Sequence, residues 1–107
     1  MRFYDFAEIE YKKLRDRVFL KHITGERSQL CLIRLDPGET TDHSHPQEQI
    51  GYILSGQVEV FIGEERKILG PGEGYHIPGG VRHGFRVGDA PVEYIEIFAP
   101  PKEENAL

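Results

Sequence analysis

The sequence has few of the features that mark several large protein classes. It contains one cysteine, Cys31, so no disulfide can form within the chain. No apolar run approaches the roughly 20 residues that a membrane-spanning helix needs. Because no signal-peptide pattern stands at the N-terminus, we expect a cytoplasmic protein without a membrane partner. A formal net charge of -5 leaves no basic surface for nucleic acid.

Short strands joined by tight turns account for the composition. Twelve glycines and seven prolines separate runs with period-2 hydrophobicity, and no stretch keeps a helical period. We interpret residues 1–16 as an arm or short helical turn, 17–98 as a single antiparallel β domain and 99–107 as a tail. Cys31 lies in an apolar run and is predicted to be a buried thiol. The predicted strands are 17–23, 29–35, 40–45, 49–55, 57–62, 65–69, 73–78, 83–87 and 92–98.

Three histidines and a glutamine have the spacing of a metal site. Because alternate side chains of a strand share one face, His43 and His45 can point inward together. Gln49 keeps the same parity after a bend at Pro46, and His83 follows a turn-rich stretch that can bring a second strand alongside. These four side chains would hold one divalent transition metal (nickel, zinc, manganese, iron or cobalt) and leave room for water or substrate.

The last predicted strand offers a candidate acid or base. Tyr94, Glu96 and Phe98 share one face, and Ile95 and Ile97 share the other. If the isoleucines pack against another sheet or subunit, the first face enters the cavity. A carboxylate there is costly unless it meets the metal, a basic group or substrate, which makes Glu96 the candidate general acid or base. The alternative is a solvated Glu96 on an outer face.

For four other positions the sequence gives weaker evidence of a role at the site. Gly51 shares the face of Gln49, where it either leaves space for substrate beside the metal or relieves crowding. Arg86 is out of phase with the last histidine, so an outward position is favoured. Parity does not decide which of Tyr75 and His76 enters, and a surface or interface placement is favoured for Arg86 and His76.

Two stretches resemble the paired motifs of the cupin superfamily. They read Gly38-x4-His43-x-His45-x3-Gln49-x6-Gly56 and Gly72-x5-Pro78-x-Gly80-x2-His83. The resemblance implies a small antiparallel β-barrel of the jelly-roll type with a metal inside its mouth. Gln49 replaces the usual glutamate ligand, and Val87 stands where an asparagine often ends the second motif. A neutral amide leaves the metal more positive and removes an internal base.

The C-terminal stretch 96–104 resembles the tail of the pectin degradation (KdgF-like) cupins, which open unsaturated uronate monosaccharides to linear keto forms. In that family an acid, an aromatic and a basic residue line the pocket, and the matching positions are Glu96, Phe98 and Lys102. The family's aspartate is here a glutamate and its arginine is here a lysine. The resemblance implies an acidic sugar as substrate, with Glu96 and Lys102 catalytic and Phe98 and Tyr94 flanking the ring.

Other functions and a partner subunit are also considered. The same ligands suit a metal-dependent dioxygenase of a small organic substrate, and the domain can also be a ligand-binding or sugar-sensing cupin without turnover. An outer face carrying Ile95 and Ile97, with Phe3 and Phe6 in the arm, would expose much apolar surface in a monomer. We therefore expect a homodimer.

Overall fold

Residues 3–107, which the computed structural model describes, form ten strands and one short helix. Their sheets have the orders β1-β2-β3-β10-β5-β8 and β4-β9-β6-β7, and every strand pair is antiparallel. The all-β prediction is therefore confirmed. The elements are β1 Lys12–Arg15, β2 Val18–Thr24, β3 Gln29–Leu35, β4 Thr40–His43, β5 Glu48–Ser55, β6 Val58–Ile62, β7 Glu65–Leu69, β8 Gly74–Ile77, β9 His83–Val87, β10 Val92–Ala99 and α1 Glu103–Ala106.

Period-2 patterning located the nine strands from β2 to β10 to within two residues at each end, but it missed both termini. The predicted arm or helical turn at 1–16 is wrong over Lys12–Arg15, which pairs with β2 as an edge strand. An edge strand packs on one side and accepts charge, so Leu14 alone suffices as its core contact. The first two residues of that arm lie outside the described residues. The tail contains α1, which had no sequence signal.

One hydrophobic core lies between the two sheets. Both sheets contribute to it, and it comprises Val18, Leu20, Cys31, Ile33, Leu35, Ile53, Val58, Val60, Leu69, Phe85, Val87, Val92, Tyr94 and Phe98. Within residues 3–107 the edges of the sheets do not pair, so the predicted barrel is realised as two packed sheets without hydrogen-bonded closure. This arrangement follows from strands that each bury one face.

The single cysteine behaves as a core residue. Cys31 is fully buried and free, as predicted. Desolvation raises the pKa of its thiol to about 12, which keeps it from ionising near neutral pH. Among the described residues, no helix combines the length and the apolar character needed to cross a bilayer.

Candidate metal centre

The three predicted histidines meet at one end of the two sheets. His43 and His83 are direct partners across β4 and β9. His45 follows the end of β4, and its carbonyl accepts a hydrogen bond from the Gly80 amide at 2.8 Å, which ties the two motifs together. The ring centroids are 5.0 Å apart for His43 and His45, 4.6 Å for His43 and His83, and 4.8 Å for His45 and His83. One ring nitrogen from each lies within 4.8 Å of the others.

Three buried polar atoms in this cluster have no hydrogen-bond partner among residues 3–107: His45 Nε2, His83 Nε2 and Gln49 Oε1. The other ring nitrogens of these histidines lie 3.0 Å from the Gln47 carbonyl and 2.9 Å from the Val81 carbonyl. A carbonyl accepts only, so each Nδ1 carries the proton and each Nε2 keeps a free lone pair. Unpaired buried acceptors are costly, and a shared cation satisfies them. The donor set therefore fits a divalent metal.

The histidines are held in the form that binds metals. Burial lowers the pKa of His43 to about 4, and repulsion from His83 adds to the shift. Burial also lowers the pKa of His45 and of His83. Neutral imidazole is the state that donates a lone pair to a metal, so near neutral pH no proton has to be displaced before binding.

Glu96 lies next to the cluster in the middle of β10. Its side chain is buried, with 2% exposed, and its Oε2 accepts hydrogen bonds from Gln49 Nε2 and, at 2.5 Å, from the Tyr75 hydroxyl. Burial raises the pKa of Glu96 to about 7, and these two hydrogen bonds oppose the shift. Burial also raises the pKa of Tyr75 well above its usual value, so the phenol keeps its proton and donates it to the hydrogen bond.

Tyr75 is the site residue that sequence reasoning missed. Parity did not decide whether Tyr75 or His76 enters, and the structure places the Tyr75 ring inside, 5.7 Å from the Phe85 ring, centroid to centroid. Gly51 on β5 stands between Tyr75 on β8 and Glu96 on β10, and a Cβ at Gly51 would overlap the Tyr75 ring. The space beside Gly51 is thus filled by Tyr75 and is not open to substrate. The sequence signal for this contact was Gly51 itself, because a glycine within a strand indicates that another group approaches the backbone closely.

The remaining predicted residues fall into two groups. Tyr94 and Phe98 are buried on the inward face of β10. Lys102 Nζ lies 2.9 Å from Glu104 Oε1 and 5.4 Å from the centre of the Phe98 ring. By contrast, the structure places two residues outward: His76, whose Nε2 is 2.7 Å from Glu48 Oε2, and Arg86. A cavity of about 50 Å³ is lined by residues that include His43, Gln49, Tyr94, Glu96, Phe98 and Lys102.

Comparisons with known proteins identify a family model and a relative that match this chain. Residues 31–98 match the family model of the cupin domain. An uncharacterised protein of Streptomyces coelicolor is 24% identical over 104 residues, which cover 95% of this chain and 99% of that protein.

Solved structures show the same fold. KdgF from Halomonas sp. superposes with a TM-score of 0.90 at 24% identity, covering 99% of this chain and 100% of that one. An RmlC-like cupin from Shewanella frigidimarina also reaches 0.90, at 20% identity and with 98% and 96% covered. The polyketide cyclase RemF from Streptomyces resistomycificus reaches 0.82, at 21% identity and with 94% and 80% covered. Such different neighbours show that the fold alone does not choose a substrate.

Proposed function

This chain belongs to the cupin family, and we propose that it is a metal-dependent enzyme that opens an unsaturated uronate to its linear keto form. The observation that carries the proposal is the composition of the small cavity. The acid, aromatic and basic positions of the uronate-opening cupins, Glu96, Phe98 and Lys102, line the same space as His43 and Gln49. One segment of the chain thus provides a carboxyl group, a ring-binding surface and a cation, and a segment distant in sequence provides two of the proposed metal ligands at the same centre.

Each side chain has a proposed part in the reaction. A divalent metal held by the three histidines and Gln49 would act as a Lewis acid toward a carboxylate, hydroxyl or water. Phe98 and Tyr94 flank the sugar ring. Lys102 attracts the substrate carboxylate, which takes the place that Glu104 now has beside Nζ. Lysine acts here as a point charge, without the two-pronged geometry of arginine.

Glu96 is the proposed proton donor. A proton added to ring carbon 4 of the unsaturated uronate leaves carbon 5 electron-poor, and water adds there. The ring then opens, and the former ring oxygen departs as water, which leaves a ketone at carbon 5 and an aldehyde at carbon 1. One water enters and one leaves, so the net reaction is an isomerisation, and Glu96 recovers its proton from the reaction water.

Admission of a sugar requires movement of the C-terminal segment. Pockets for small molecules usually enclose roughly 300–1,000 Å³, whereas the cavity beside His43 and Glu96 has about 50 Å³. Residues 99–107 cover it and carry Lys102. Polar contacts that hold this segment include Lys12 Nζ to the Asn105 carbonyl at 3.1 Å and Asn105 Nδ2 to Gln29 Oε1 at 3.2 Å. We propose that the segment opens to admit substrate and closes over it.

The proposal predicts turnover of unsaturated galacturonate, followed as loss of the absorbance of its conjugated enol ether. Lys102→Met is expected to raise KM about 10-fold or more with a smaller change in kcat, because a charge-assisted contact to the carboxylate contributes about 1.5–3 kcal/mol. Lys67→Met is the control, since Lys67 is exposed on β7 and pairs with Glu73. Binding without product would identify a non-catalytic sugar-binding protein instead, and no binding would reject the substrate class.

We also propose a homodimer formed through the outer face of the six-stranded sheet. Ile50, Tyr52, Leu54 and Ile97 each have between 42% and 51% of their surface exposed. Ile97 is the direct cross-strand partner of Ile50, and Ile95 is that of Tyr52, so these side chains form one continuous patch. Contiguous exposed apolar surface of this kind is typical of an interface.

Ile97→Lys is expected to convert the dimer to a monomer, because the new ammonium would be buried at the centre of the patch without a partner. Sedimentation velocity over a range of concentrations measures the change. Ile68→Lys is the matched control, since Ile68 is 61% exposed on β7 of the other sheet. A wild-type protein that is monomeric throughout, or a variant that still dimerises, would contradict this interface.

The proposed location is the cytoplasm. The single cysteine is free and buried, and its raised pKa keeps it unreactive. A fold that needs no disulfide suits a reducing compartment.

A further inference from the structure

The amide of Gln49 joins two different environments. The side chain is 1% exposed, so each of its polar atoms needs a partner within the protein or a bound ligand. Its Nε2 donates to Glu96 Oε2, whereas its Oε1 has no partner among residues 3–107 and belongs to the histidine cluster. The direction in which this amide points therefore decides whether an oxygen or an NH2 group faces the candidate metal.

Glu96 and Tyr75 fix that direction. The Tyr75 hydroxyl and Gln49 Nε2 both donate to the same oxygen, Glu96 Oε2, so this oxygen accepts twice and offers no proton. An acceptor-only oxygen admits the NH2 end of an amide and rejects its carbonyl end. Gln49 Oε1 is consequently turned away from Glu96, and the histidine with which the Gln49 side chain interacts is His45. His45 Nε2 and His83 Nε2 likewise have no partner among the described residues.

We propose that Glu96, held in place by Tyr75, is a positioning residue that sets the Gln49 amide with its oxygen toward the metal. The inference rests on the proposed metal site, and it assigns Glu96 a role that does not depend on turnover. Gly51 contributes to this arrangement, because its missing side chain lets the Tyr75 ring lie over β5 and reach Glu96 on β10. Outer-shell groups of this kind orient metal ligands.

The proposal explains why a glutamine stands at position 49. A carboxylate there would have no hydrogen to donate to Glu96, and two carboxylates would share one buried place without a counter-charge between them. The amide resolves the conflict, because it donates to Glu96 and still offers an oxygen to the metal. Gln49 and Glu96 therefore form a matched pair, and the amide-carboxylate order should be exchangeable between them.

Glu96→Leu tests this directly. Leucine removes the oxygen to which Tyr75 and Gln49 both donate, so nothing then keeps the NH2 end of the Gln49 amide away from the histidines. Glu96→Gln can keep an oxygen at that place, accepts both hydrogen bonds and is expected to bind nickel nearly as the wild type does. For Glu96→Leu the expectation is different. We expect metal affinity to fall by about 10- to 100-fold, the usual effect of losing an outer-shell partner. Calorimetric titration of the metal-free protein with nickel chloride measures the loss. Tyr75→Phe removes one of the two donors and is expected to cause a smaller loss.

The exchanged double variant, Gln49→Glu with Glu96→Gln, separates orientation from general structural damage. The carboxylate introduced at position 49 accepts from the new amide at position 96 and faces the metal with an oxygen, so metal affinity should be at least that of the wild type. Glu93→Leu is the control for the loss of a carboxylate on β10, because Glu93 lies on the outer face of this strand and contacts Tyr11. It should bind nickel like the wild type.

The outcomes separate the inference from the proposed function. A Glu96→Leu variant with wild-type nickel affinity, in a protein that loses nickel on Gln49→Leu, would overturn the positioning role and leave the metal site standing. A double variant that binds nickel more weakly than the wild type would overturn it as well. A wild-type protein that binds no nickel or zinc would reject the metal site itself. If Glu96→Leu does not fold, as judged by thermal unfolding, Tyr75→Phe and the double variant decide the question.

Discussion

Replacing His83 by alanine is expected to weaken the binding of a divalent metal by more than about 100-fold, beyond the 10- to 100-fold that outer-shell substitutions cause. His83 is 1% exposed at the start of β9, directly across from His43, and its Nε2 has no other partner in the described part of the chain. The alanine removes one of four proposed donor atoms and leaves a gap that water enters. Metal content of untagged protein and calorimetric titration with nickel or zinc measure the loss.

His76→Ala is the matched control for this experiment. His76 also lies on a strand of the site region, but it is exposed on β8 and its Nε2 contacts Glu48 at 2.7 Å. Its removal should leave metal content unchanged. Circular dichroism of both variants shows whether the fold is retained. Unaltered metal content in a folded His83→Ala protein would contradict the assignment of the histidine cluster as a metal centre.

Parity along the strand explains why so much of the site could be predicted from sequence. In a β-strand, alternate side chains share a face, so the residue types at Tyr94, Glu96 and Phe98 already indicated which face enters the core. The same rule paired His43 with His45 and placed Arg86 outward. The turn formers between the strands then limited where each strand begins and ends. The face of a strand on which a side chain lies depends only on neighbouring residues, so it can be predicted from the sequence.

Register between strands is a long-range property, and that is where prediction failed. Tyr75 and Glu96 are 21 residues apart, and they meet only because β8 and β10 lie on either side of β5 with Gly51 between them. Nothing local to Tyr75 distinguishes it from His76 beside it. The hydrogen bond from Gln49 to Glu96 has the same origin, since 47 residues separate the two. Strand order determines both contacts, and no strand pattern encodes strand order.

The structure of the two termini was not predicted, for a different reason. Lys12–Arg15 forms an edge strand that buries one leucine, so it carries almost no hydrophobic period to detect. The helix Glu103–Ala106 is a single turn whose place depends on Asn105, which is buried and donates to Gln29 on β3. Helices this short are unstable alone and depend on tertiary contacts. Their positions follow from the assembled sheets.

Gly51→Ala is expected to lower the free energy of unfolding by about 1–3 kcal/mol, the usual cost of adding a methyl group to a filled interior. The added Cβ would overlap the ring of Tyr75, and β5 cannot move aside because it pairs with β8 on one side and β10 on the other. Urea unfolding followed by circular dichroism measures the change. Gly88→Ala is the control, because Gly88 has open space around its Cα and a backbone conformation that alanine adopts.

A double variant shows whether the Tyr75 ring is the cause. In a Tyr75→Ala background the Gly51→Ala change meets empty space, so its cost should largely disappear, and the two substitutions should be strongly non-additive. Nickel affinity should follow the same pattern in part, because displacement of Tyr75 also releases Glu96 and, through it, Gln49. If Gly51→Ala is as mild as Gly88→Ala, the ring does not lie against β5. The contacts that link Tyr75 to the metal centre would then have no support.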